Sequence, residues 1–281
     1  MEYFDAISKG STLAARFFFR NCAVSIHLPG VLKISNNLTP GLGDIVFDRD
    51  FVAAKSPTEF IGSKSDFYRF LDGTSSSNSS IIKKMGTIGY ILSNKLPRHN
   101  PTRCRSFLCV NESEAACCNG KTLFHKAIEL YCDTVRINGR GGVRGHFAFS
   151  EVSEKTQLVC IDDLPARVKF CQFFEKCTDD WVVNRKARAP LVIEHAKSPH
   201  LLITSNLPMS KVRKDGGFRR RFVVLEFSDF FGMENRIDEF LGRRMFIDWD
   251  SEQWNKFDNL MFYCVTQYLN ALALNYDLFK M

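Results

Sequence analysis

The chain is 281 residues long, which fits a domain of ordinary size joined to a smaller one. Hydrophobic residues make up 45% and charged residues 25%, an ordinary globular balance that excludes a disordered chain, and no apolar run approaches the roughly 18 residues of a membrane span. The net charge of +7 and pI of about 8.9 are compatible with an anionic partner without requiring one.

The ten cysteines are scattered with no CxxC pair. Cys104/Cys109 and Cys171/Cys177 have no matching His or Cys pair at zinc spacing, so a zinc site is rejected. Adjacent Cys117 and Cys118 are poorly placed to bridge. Free thiols without a signal peptide suggest a reducing cytosol.

Residues 1–72 are broken by Pro29, Gly30, Pro40, Gly41 and Gly43, while Phe17–Phe19 and Ala23–Leu28 are apolar enough to be buried. Asp66–Gly73 reads as the end of a helix. The polar Gly73–Ser80 run is a turn or a helix start, with Ser79 or Ser80 as cap. Ile81, Ile82, Met85, Ile88, Ile91 and Leu92 form a helical stripe. Lys95, Arg98, Arg103 and Arg105 then make a basic, solvated loop.

The stretch Ser106–Leu123 organises the rest. Phe107–Val110 reads as a buried strand, a loop closes on Asn119-Gly120-Lys121-Thr122, and Leu123, Phe124, Ala127, Ile128 and Tyr131 recur at helical spacing. Strand, loop and helix start form a phosphate cradle, because N–H groups and the helix dipole face the anion. Lys121 would reach the β and γ phosphates and the Thr122 hydroxyl would ligate Mg²⁺. Ala115 stands where the usual pattern has glycine, and Ala116, Cys117 and Cys118 follow; each Cβ narrows the room for phosphate.

Thr134–Ile137 is a second strand, and Asn138–His146, with four glycines and two arginines, is a connector or a phosphate-contacting loop. Leu158–Ile161 leads to Asp162-Asp163 at a strand end, where one acid would hold Mg²⁺ through water and the other orient an attacking water. Arg167–Cys177 reads as an amphipathic helix. Trp181–Val183 and Leu191–Ile193 flank a basic tip carrying Arg185, Lys186 and Arg188, which suits a phosphate backbone or simply solvent. Trp181 and Phe218 are read as core rather than base-stacking residues. His200–Pro208 is a strand ending in Ser205-Asn206, whose amide could hold water or sense a γ-phosphate. Arg219, Arg220 and Arg221 stand before an apolar strand, where an arginine could act on a neighbouring subunit's nucleotide. Residues 232–281 look helical, with an apolar stripe from Phe257 to Leu274.

In order and in compact spacing, NGKT, CIDDLP, NRKARAP, LLITSNLP and GGFRRRFVVLEF resemble the superfamily 3 helicases of viruses, phages and mobile elements, within the AAA+ class. The resemblance covers roughly Asp66–Phe231. It is greatest to the helicase portion of phage and prophage primase-helicases, in which a run like Gly89-Tyr90-Ile91-Leu92 precedes the phosphate-loop strand. It implies an α/β fold: a P-loop AAA+ type parallel sheet flanked by helices over 101–231, with mostly helical parts at 1–100 and 232–281. It implies ATP and Mg²⁺ as cofactors, Asn119, Gly120, Lys121, Thr122 and Leu123 around the nucleotide, and Thr122 and Asp162 on the metal. Asp162 and Asp163 become the acidic pair, Asn206 the sensor, and Arg221, with Arg220 in reserve, the arginine finger. Arg185, Lys186 and Arg188 would contact single-stranded DNA. Members act as homo-hexameric rings that pull single-stranded DNA through a central channel, in the bacterial host cytosol where phage-derived. No primase half precedes the motor, so the expectation is a primase on a separate chain, a stand-alone helicase or a truncated remnant. Two other readings stand beside this one. A worn phosphate loop would leave a nucleotide- or DNA-binding assembly protein without turnover, and Asp162 with Asp163 could serve a metal-dependent nuclease.

Overall fold

The computed structural model describes residues 12–41, 44–96, 105–114, 118–143, 145–212 and 215–280. Gly43, Arg98, Arg103, Cys104, Ala115, Ala116, Cys117 and Arg144, singled out above, lie outside the described residues. The chain divides into two units, Met1–Leu96 with Glu234–Met281, and Pro97–Met233.

The first unit opens on a sheet, which corrects the expectation of a mostly helical N-terminal part. Strands β1 (Leu13–Phe18), β2 (Ala23–His27), β3 (Val31–Ser35) and β4 (Ile45–Val46) lie in the order β3-β2-β1-β4. The first three pair antiparallel and β4 runs parallel to β1. Phe17, Phe18, Val24, Ile26 and Ile34 are residues that fit a pleated surface, and Pro29-Gly30 interrupts the run before a helix length is reached. Helix α1 (Asp66–Gly73) begins where a helix end was expected, because the Ser65 hydroxyl caps the Tyr68 N–H. Helix α2 (Asn78–Leu92) is capped by Ser77, not by Ser79 or Ser80, which sit in its first turn.

In the second unit the sheet holds β5 (Ser106–Asn111), β6 (Thr134–Asn138), β7 (Leu158–Asp162), β10 (His200–Pro208) and β11 (Phe222–Phe227), in the order β11-β5-β10-β7-β6. Every pairing is parallel. Its central strands are near-continuous apolar runs because both faces are covered. One face carries Leu108, Val110, Val159, Ile161, Leu201 and Ile203 in a core completed by Phe173, Trp181 and Phe218, so the last two are packing residues. Helix α3 (Lys121–Glu129) buries Phe124, Ala127 and Ile128. The amphipathic helix expected over Arg167–Cys177 is shorter: a 3₁₀ turn, Phe170–Phe173, leads into α4 (Phe174–Thr178). The Val168 N–H is spent on a turn to the Pro165 carbonyl, so regular helix starts only at the buried Phe173–Cys177 anchors. Strands β8 (Trp181–Val183) and β9 (Leu191–Ile193) form the expected hairpin. Helix α5 (Gly216–Arg221) takes up the three arginines, capped by Asp215.

The chain then returns to the first unit with α6 (Ile237–Leu241) and α7 (Ser251–Ala273). Phe257, Leu260, Met261, Cys264, Val265 and Leu269 of α7 are buried, and Leu274 lies past the helix end, 80% exposed. Buried Asp258 receives both Nε (2.8 Å) and Nη2 (2.6 Å) of Arg49, whose guanidinium also lies over Phe47 and Trp254. Among the described residues no helix is long and apolar enough to cross a membrane.

Candidate functional site

Strand alternation decides which polar residues meet. In β5, β7 and β10, Leu108, Val110, Val159, Ile161, Leu201 and Ile203 face one core. The alternate residues Asn111, Asp162, Thr204 and Asn206 therefore emerge on the opposite face, at the carboxyl ends of adjacent parallel strands. Helix α3 starts beside that edge. Its N-cap, Gly120, has φ 91°, a left-handed conformation that costs glycine nothing and a residue with Cβ about 1–2 kcal/mol. Exposed Cys118 adopts φ 57° just before it.

Lys121 is the first residue of α3 and is 7% exposed. Its ammonium donates to the Asn119 Oδ1 at 2.8 Å and to the Asn111 Oδ1. Asn119 is buried as well, its amide nitrogen 3.3 Å from both the Asn111 Oδ1 and the Phe227 carbonyl. The side chain of Asn119 thus faces Lys121 and the end of the sheet. Burial pushes the Lys121 ammonium below its usual range, opposed by the fields of Cys109, Asp163, Cys118 and Asp162. Thr122 is exposed and Leu123 half-buried in the same turn.

The acidic pair is held from β10. The Thr204 hydroxyl donates to Asp162 Oδ1 at 2.6 Å and accepts the Asp163 N–H at 2.8 Å. Asp163 turns with φ 56°, and its two oxygens take separate partners: Asn206 Nδ2 donates at 3.0 Å, and Arg140 Nε pairs at 2.5 Å. The glycine-rich segment after β6 is therefore more than a connector, since Arg140 stands on it. Asp162 and Asp163 keep side-chain exposures of 28% and 37%. Hydroxyl and carboxylate oxygens from Thr122, Asp162 and Asp163 are hard donors that suit Mg²⁺.

Beneath Asp162, buried His125 of α3 lies with Nδ1 2.8 Å from Glu129 Oε1 and Nε2 3.6 Å from Asp162 Oδ1. Arg136 of β6 pairs with Glu129 as well. Cys160 brings its sulfur within 4.8 Å of the His125 and Glu129 donor atoms, a juxtaposition that spacing along the chain does not reveal. Asn111, His125, Arg140 and Thr204 are the site residues that sequence reasoning missed. For Thr204 a signal exists: it is a polar residue in an apolar strand, in phase with Asn206.

The arginines and the hairpin stand apart. Arg221 lies over the Phe174 ring at 4.8 Å, donates to the Gly217 carbonyl, and is half-buried. Arg220 is exposed and donates to the Gly216 carbonyl at 3.2 Å. Lys186 and Arg188 are exposed at the hairpin tip, Arg185 is half-buried, and Ala187 between them has φ 56°. Among the described residues, none of these five pairs with Lys121, Asp162 or Asp163. None of the described cysteines is in a disulfide.

No family model matches the chain, and no curated protein sequence does. Among solved structures, the A form apo structure of the NrS-1 C-terminal region aligns at 12% identity and TM-score 0.45, over 95% of this chain and 68% of that one. A structure of NrS-1 residues 305–718 aligns at 10% identity and TM-score 0.45, over 95% and 70%. A JCV helicase bound to an acetamide compound aligns at 12% identity and TM-score 0.41, over 74% and 60%.

Proposed function

We propose that the chain is an ATP-dependent DNA helicase or translocase acting in replication of a phage or mobile element. One observation carries the reading: the start of α3, with Lys121 behind a left-handed Gly120, shares a sheet edge with Asp162, Asp163 and Asn206. ATP phosphates at that helix start meet backbone N–H groups, and Lys121 exchanges Asn111 and Asn119 for phosphate oxygen. Thr122 and Asp162 would hold Mg²⁺, which neutralises phosphate charge when bound. Asp163, aimed by Asn206 and Arg140, orients the attacking water. Arg220 is exposed whereas Arg221 is engaged with Phe174, so Arg220 is the better group to act in trans on a neighbour's nucleotide. Lys186 and Arg188 contact the backbone of single-stranded DNA in the channel of a homo-hexamer.

The test is ATP turnover with and without single-stranded DNA, on the parent and on Lys121→Ala, Arg220→Ala and Arg221→Ala. DNA-stimulated turnover lost in Lys121→Ala and Arg220→Ala is the expected result. Turnover unaffected by Lys121→Ala overturns the reading. The burial of Lys121 on two asparagines favours a second reading, a nucleotide- or DNA-binding assembly protein without hydrolysis. Its signature is nucleotide binding with no turnover in the parent.

A further inference from the structure

We propose that His125 is a positioning residue for Asp162, fixing where that carboxylate presents itself to a nucleotide-bound divalent cation. The inference rests on the nucleotide reading above and adds to it a residue that contacts neither phosphate nor solvent.

Three observations converge. The imidazole is fully buried and fixed at one nitrogen: Nδ1 is 2.8 Å from Glu129 Oε1, and Glu129 is itself held by Arg136. The other nitrogen, Nε2, is buried with no hydrogen-bond partner, a state that costs free energy unless something completes it. That nitrogen faces Asp162 Oδ1 at 3.6 Å, and a shift of about half an ångström closes the gap to hydrogen-bond distance; because Glu129 and Asp162 both only accept, the ring bonds the two together as the doubly protonated donor.

The groups around the ring come from three elements. Glu129 lies on α3 itself, Arg136 on β6, and Cys160 and Asp162 on β7. Asp162 Oδ1 is the carboxylate oxygen that Nε2 faces. The remaining contact to Asp162 Oδ1 is the Thr204 hydroxyl from β10, on the strand beside β7.

The helix gives this contact a purpose. His125 lies one turn after Lys121 on α3, four residues on and on the same face. A phosphate that draws the start of α3 toward itself moves the imidazole with it, and the imidazole moves against Asp162. The phosphate-binding end of the helix and the metal-facing carboxylate are thereby linked through one buried ring. Groups that orient a metal-binding carboxylate from behind are worth about 10–100-fold in metal affinity.

The experiment measures Mn²⁺ binding to the full chain in the presence of a non-hydrolysable ATP analogue, by electron paramagnetic resonance. Binding of the same analogue in excess chelator is measured separately. Variants are His125→Phe, which removes both ring nitrogens, and Glu129→Gln, which leaves the imidazole in its packing but loosens its anchor. His125→Gln, able to offer an amide near the Nε2 position, is the conservative rescue. Mn²⁺ affinity should fall about tenfold in His125→Phe, less in Glu129→Gln, and recover in part in His125→Gln. Metal-free analogue binding should stay close to the parent value in all three. A structural role alone would move both measurements together and overturn the proposal. Unchanged Mn²⁺ affinity in a folded His125→Phe overturns it too; if that variant does not fold, unchanged affinity in Glu129→Gln does. A parent that binds neither analogue nor Mn²⁺ overturns the nucleotide reading itself, and the inference falls with it.

Discussion

Thr204 joins two strand ends through a single hydroxyl, giving to Asp162 and receiving from the Asp163 N–H. Thr204→Val keeps the shape and removes both bonds. At 2% exposure no water replaces them, so the variant should lose about 1–3 kcal/mol in denaturant titration and lose ATP turnover in parallel. Glu129 makes a pH prediction. Burial alone would raise its pKa, but hydrogen bonds from His125 and Arg136, with their charges, hold it below the ordinary 4.5. A carboxyl depressed in the folded state binds fewer protons there than in the unfolded chain, so its stabilisation is complete above 4.5 and is lost as pH falls through the lower folded value. Urea unfolding of the parent should therefore lose more stability than that of Glu129→Gln when pH is lowered from neutral to below 4.5. Equal losses would remove Glu129 from the account.

Helix α2 meets α7 at Gly89, where an added Cβ would stand 2.2 Å from the Cys264 carbonyl oxygen and 2.6 Å from the Tyr268 Cβ. Alanine gains about 1 kcal/mol over glycine in helix propensity, but overpacking against backbone costs about 1–3 kcal/mol, and the helices must separate. Gly89→Ala should thus be destabilised in chemical denaturation, whereas Gly141→Ala, which meets no atom within 4 Å, should not. The β8–β9 hairpin offers a different measurement. Lys186 and Arg188 are exposed at its tip, so each alanine substitution should lessen the salt dependence of single-stranded DNA affinity by about 0.7 in log–log slope while leaving base preference unchanged. An unchanged slope would make the tip merely solvated. At this scale the sequence was legible wherever a buried parallel strand needed a continuous apolar run, as in Phe107–Val110 and Leu158–Ile161. It was less legible at β1–β3, whose short runs between Pro and Gly carry no helical or strand period long enough to read.

At the scale of the whole molecule, the proposed ATPase reading needs one further cation, to meet charge that would develop on the transferred phosphate. Arg220, exposed on α5 and unpaired with the acidic cluster, is the residue we propose for that role from a neighbouring copy. Mixing inactive Lys121→Ala with inactive Arg220→Ala protein should restore part of the turnover, since some interfaces then pair an intact phosphate loop with an intact arginine. No recovery in a mixed assembly would place the arginine's effect within its own subunit.

The sequence by itself determined the five strands of the second sheet, the helix that follows the Asn119–Thr122 run and the positions of the acids at strand ends, because each follows from local hydrophobic period and from the few residues able to end a strand or start a helix. Only the tertiary structure decided the company those residues keep. Asn111, His125, Arg140 and Thr204 come from four separate segments, and strand order with pleat phase brings them to Lys121, Asp162 and Asp163. The return of α7 to α2 was equally beyond local reading, since the apolar stripe of a helix says that it must be covered and not by which partner.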